Sequence, residues 1–64
     1  MPELYRDLAR LLREAGCSFL REGKGSHEIW RSPLSGRTFT VPANITSRVL
    51  ANAILKQAGL PKAF

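Results

Sequence analysis

Leu4, Leu8, Leu11, Leu12 and Ala15 recur at i, i+4, i+7, i+8 and i+11, the spacing of one apolar stripe along an α-helix. The segment PELYRDLARLLREA, residues 2–15, is therefore expected to be helical. Pro2 suits a first turn, where its missing N–H removes a donor that has no partner anyway. Glu3 complements the positive end of the helix dipole, and Gly16 supplies the stop. Arg6, Arg10 and Arg13 fall on the other faces as solvated surface, with Glu14 and Asp7 within pairing reach of Arg10.

Beyond Gly16 the helical period gives way to strand-like runs. CSFLRE (17–22), SHEIWRS (26–32) and RTFTVP (37–42) read as short strands; in the third, Phe39 and Val41 share one face and Thr38 and Thr40 the other. The connections, Gly23-Lys24-Gly25 and a turn marked by Pro33, Ser35 and Gly36, are short enough to favour hairpins and an antiparallel meander. In the second strand, alternation separates His27, Ile29 and Arg31 from Glu28, Trp30 and Ser32. Trp30 has the most apolar area to bury and is assigned to the core, which sends His27 and Arg31 to the opposite face. An inward Ile29 would instead require a bulge at the loop to expose His27.

After Pro42 and a turn, SRVLANAILKQAG carries a second helical stripe: Val49, Leu50, Ala53 and Ile54, with Gln57 and Ala58 at its end. Thr46 or Ser47 is the expected N-cap and Gly59 the terminator, ahead of Leu60 and Pro61. The order α-β-β-β-α gives an α+β fold, a three-stranded antiparallel sheet with two helices on one face. The other sheet face is left open to solvent.

Composition limits what such a chain can be. Its 64 residues make one domain, 1–64, and a chain this short buries only about 60% of the surface its unfolded form exposes. With 44% hydrophobic and 23% charged residues it is globular, and no residues remain to build a deep cleft. Cys17 is the only cysteine, so no internal disulfide forms; it reads as an inert thiol beside apolar neighbours. One Cys and one His write no zinc site, no metal site is read, and no cofactor motif appears. The first dozen residues mix charges into the apolar pattern, unlike a signal peptide, and no apolar run approaches the roughly 20 residues of a membrane span. A cytoplasmic protein with no membrane partner is expected.

The net charge of +5 is unevenly distributed. All five acids (Glu3, Asp7, Glu14, Glu22, Glu28) lie in residues 1–28, balanced by five bases. Residues 29–64 hold Arg31, Arg37, Arg48, Lys56 and Lys62 and no acid. An unopposed positive surface favours phosphate-rich or acidic partners.

Within GKGSHEIW, residues 23–30, stands the only histidine. Gly23 and Gly25 permit φ > 0, so successive N–H groups can form an anion-binding nest, to which Lys24 adds a positive charge and Ser26 a hydroxyl. An imidazole titrates near neutrality and suits proton transfer at a ribose 2′-OH or a leaving 5′-oxygen. Other chemistries fail for want of residues. No acid follows Glu28 to orient the ring in a Ser-His-Asp triad, and the basic half lacks the clustered acids of a metal nuclease. The Walker spacing G-x-x-x-x-G-K-[ST] is absent. Elimination leaves a metal-independent ribonuclease acting on single strands through His27, set against a flexible hairpin turn with a surface histidine.

A leading amphipathic helix, then GKGSHEIW, GRTFTVP and a closing AILKQAGL, resembles the HicA (YcfA-like) toxin family of toxin–antitoxin systems over nearly the whole chain. The resemblance implies a fold of the double-stranded-RNA-binding-domain type and an endoribonuclease, an mRNA interferase, whose histidine falls on His27. It also implies a HicB antitoxin as partner, in a toxin–antitoxin hetero-oligomer. Toxins of this family often carry extra Lys or Arg between VP and the final helix. Here ANITSRVLANA has Arg48 as its only charge, leaving Lys24, Arg31, Arg37 and Lys56 to hold mRNA as a single strand, with Gly25 and Ser26 at the scissile phosphate. The alternative is a non-catalytic module that grips RNA or a protein with the same basic sheet.

Overall fold

A computed structural model describes residues 3–64. Its elements run α1 (Glu3–Glu14), β1 (Ser18–Glu22), β2 (His27–Arg31), β3 (Thr38–Pro42) and α2 (Arg48–Gln57), the expected order. Pro2, expected in the first helical turn, lies outside the described residues. The strands form one antiparallel sheet in the order β1-β2-β3, so β2 is central.

Both helices cover one sheet face because that is where the large apolar side chains point. Leu8 and Leu12 of α1, Ile54 and Leu55 of α2, and Trp30 and Val41 of the sheet are almost wholly buried together. Cys17 is buried, as its apolar neighbours suggest. In α1 the inner face also includes Tyr5 and Ala9, while Leu4, Leu11 and Ala15 flank it. Arg10 pairs with Asp7 at 3.8 Å rather than with Glu14, and both side chains are well exposed. Arg13 is not simply solvated: its Cζ lies 5.4 Å from the centroid of the Trp30 ring, in cation–π position.

The expected inner stripe of α2 is corrected. Val49, Leu50 and Ala53 are exposed; Ala51, Ile54, Leu55 and Ala58 face the core. Two overlapping stripes exist in this segment, and tertiary contacts choose between them. The buried hydroxyl of Ser32, just after β2, donates 2.6 Å to the carbonyl of Ala58 and anchors the C-terminal end of the helix. Small Ala51 and Ala58 then permit close approach. Ser47 is the N-cap, its Oγ accepting from Leu50 N–H at 3.2 Å. Gly59 leaves the helix at φ +84°, and a Cβ there would stand 3.2 Å from Leu34 Cβ.

Candidate functional site

Trp30 is buried, and alternation therefore turns His27, Ile29 and Arg31 away from the helices, as expected. Their neighbours are fixed by register. On β3, Pro42 lies opposite His27, Thr40 opposite Ile29 and Thr38 opposite Arg31. On β1, Arg21 lies opposite Ile29 and Ser18 opposite Arg31. His27 is exposed at the start of the central strand, Ile29 half-buried, and Arg31 exposed.

The loop before His27 is better ordered than a flexible turn. Gly23 N–H donates to the His27 carbonyl at 2.8 Å, and His27 N–H donates to the Lys24 carbonyl at 3.2 Å. The Ser26 carbonyl accepts from Ala43 N–H at 2.8 Å, and Ser26 Oγ donates 3.2 Å to Asn44 Oδ1. The loop is thus docked on the turn that follows β3. Gly25 has φ +66° with open space where a Cβ would be, whereas Gly23 does not adopt positive φ. The expectation for Gly23 is corrected: its amide is spent on His27, and its missing side chain leaves room beside His27 and Ile29, which a Cβ would approach to 3.4 Å. The amides of Lys24, Gly25 and Ser26 have no acceptor among the described residues, and all three residues are exposed.

Beneath this face, Glu28 is held from the core side. Its Oε1 accepts from Tyr5 Oη at 2.7 Å and from Trp30 Nε1 at 3.0 Å. Burial, and then the bond to the Glu28 carboxylate and its negative charge, push the Tyr5 phenol up to about 12, against a smaller opposing effect of Arg13. Sequence reasoning passed over this clamp; an acidic residue alternating with an inward Trp is the one signal that marks it.

The fold does not gather every sequence-derived candidate. Lys24, Gly25, Ser26, His27 and Arg31 share the open face or its adjoining loop. Arg37 precedes β3, its carbonyl accepting from Ser32 N–H at 3.0 Å, and stands on the rim at the far end from His27. Lys56 belongs to α2, in the layer behind the sheet. No carboxylate occupies the open face among the described residues: Glu3, Asp7 and Glu14 are on α1, and Glu22 and Glu28 are paired on the helix side. Nor does any group of three His, Cys, Asp or Glu stand close enough to hold a metal ion among these residues. No helix among them is long and apolar enough to cross a membrane.

An α-β-β-β-α layer with an open, acid-free sheet is consistent with the double-stranded-RNA-binding-domain class of α+β folds. Residues 5–60 match the family model described as HicA toxin of bacterial toxin-antitoxin, and the chain belongs to that family. Membership gives it the role of toxin in a toxin–antitoxin pair, with an antitoxin as partner. No curated protein and no solved structure matches the chain.

Proposed function

We propose that this toxin is a metal-independent endoribonuclease that cleaves single-stranded mRNA with His27 as general acid/base. One observation carries the reading. The only imidazole in the chain stands exposed on a face that, among the described residues, carries no carboxylate, beside a docked loop whose three consecutive amides have no acceptor among those residues. A phosphodiester seated at Lys24–Ser26 receives those N–H groups and the Lys24 ammonium, which stabilise charge developing on the phosphate oxygens. His27, one residue on, then takes the proton from a ribose 2′-OH as that oxygen attacks phosphorus and the P–O5′ bond breaks, while water or the Lys24 ammonium supplies a proton to the departing 5′-oxygen. Arg31 holds the strand further along the face. Lys56 is left out of this contact set because α2 lies behind the sheet. A HicB-type antitoxin covering this acid-free face is the matching mode of inhibition.

A second reading rests on a specific feature: among the described residues no side chain hydrogen-bonds the His27 ring, so none of them orients it as a triad would. This favours a module that grips RNA or a protein without cutting. His27→Ala separates the two. Induced expression of the variant beside the wild type, with growth and transcript integrity followed, should show growth arrest and cleavage lost while the thermal midpoint is unchanged. The loss of a positioned acid/base is worth roughly 10²–10⁴-fold in rate. Cleavage that persists in folded His27→Ala rules the nuclease reading out.

A further inference from the structure

We propose that Arg21 is a contact to the RNA strand, delivered to the His27 face by a β-bulge at Leu20; this rests on the ribonuclease reading above. Simple alternation along SFLRE forbids it. Phe19 lies opposite Trp30 and packs edge-on against its ring with centroids 6.3 Å apart, so it belongs to the helix side. Strict period two from Phe19 would put Arg21 on that same side and turn Glu22 outward.

The register between β1 and β2 shifts by one between Phe19 and Arg21, leaving Leu20 unpaired. Downstream of the shift, Arg21 sits opposite outward Ile29 and Glu22 opposite inward Glu28. One inserted residue thereby exchanges a carboxylate for a guanidinium on the open face. It also removes the only acid that could have spoiled that face.

Position explains the use. Arg31 is four residues from His27 along β2, about 13 Å at some 3.3 Å per residue. A strand anchored only at those two points crosses Ile29 with no cation beneath it. Arg21, directly opposite Ile29, is diagonal to His27, about 7–8 Å away on the regular side of the pair, and lies between His27 and Arg31 along the face. It is exposed, and the only ion pair among the described residues joins Arg10 to Asp7, so its guanidinium has no carboxylate to satisfy it. A planar fork of donors over a half-buried Ile suits a phosphate lying across the middle of the sheet.

The test uses the full chain carrying His27→Ala, so that RNA is bound and not cut, and a labelled mixed-sequence single-stranded RNA titrated at several salt concentrations. Adding Arg21→Gln should weaken binding several-fold and flatten the log K against log salt slope by about 0.7, the contribution of one phosphate on a single strand. Arg21→Lys, which keeps the charge, should retain the slope. Lys62→Gln removes the same charge from the tail beside α2 and should change both quantities far less. Thermal midpoints of the variants establish that each is folded. If Arg21→Gln binds as tightly as its parent, or weakens only as Lys62→Gln does, this inference fails and the nuclease reading stands. If the His27→Ala chain binds no RNA at any salt, both fail together.

Discussion

The phenol of Tyr5, on α1, donates a 2.7 Å hydrogen bond to Glu28 Oε1, on β2, and so ties the first helix to the central strand. The bond joins residues 23 positions apart and holds α1 against the face of β2 on which Trp30 is buried. With Glu28 held down, His27 and Ile29 on either side of it are turned outward.

This clamp makes stability pH-dependent at the alkaline end. The Tyr5 phenol is raised to about 12 in the folded chain, above its ordinary value near 10 in the unfolded one. The folded state therefore keeps its proton longer. The stabilisation is complete below about pH 10 and is lost as pH rises towards 12. Urea midpoints measured across that interval should fall, and Tyr5→Phe should flatten the fall. At neutral pH the same variant costs about 1–3 kcal/mol, since a partly buried carboxylate loses one of its two donors. Tyr5 is the only tyrosine, so phenolate absorbance reports its titration directly.

Gly59 and Gly36 both adopt positive φ, at +84° and +70°, yet their substitution should differ. Alanine at Gly36 meets open space and costs only the backbone strain, about 1–2 kcal/mol. Alanine at Gly59 adds a 3.2 Å approach to Leu34 Cβ and a 3.6 Å one to Ser35 N. Thermal melting should place Gly59→Ala several degrees below Gly36→Ala. Equal midpoints would mean that Leu34 yields freely.

The proposed RNA contacts should rank by their place in the fold rather than by charge. Single Gln substitutions at Arg31, Arg37 and Lys56 all remove one positive charge. Arg31→Gln should lower the salt slope by about 0.7, Lys56→Gln should leave it nearly intact, and Arg37→Gln should fall between. Equal losses at all three would indicate a diffuse field in place of a track on the sheet.

Cys17 offers a test of cooperativity. It is the only cysteine and is 6% exposed, packed within the core. Its labelling by a thiol reagent should be slow in native buffer and should accelerate along the urea unfolding curve followed by Trp30 fluorescence. Fast labelling before that transition would reveal a locally open β1.

Much of the candidate site's placement was legible in order. GKGSHEIW marks a loop and a strand, and the size of Trp30 decides which half of that strand is inward; His27 and Arg31 follow from alternation alone. Gly25 at positive φ is likewise a local matter. Arg37 and Lys56 entered the candidate set on charge and likeness, and neither criterion carries information about which layer a residue occupies.

The element order, the meander, the inward Trp30 and the outward His27 are therefore properties of the chain itself, because they depend on periods of two and 3.6 and on the largest apolar area. The rest was decided in three dimensions. The helical segment after Ser47 holds two overlapping apolar stripes, and packing of Ala51, Ile54 and Leu55 in the core decides which one faces inward. The side on which Arg21 and Glu22 emerge depends on a register shift against β2. Glu28 meets Tyr5 only because α1 crosses above it. Helix rotation and strand register are relations between segments distant in sequence, and local periodicity holds no term for them.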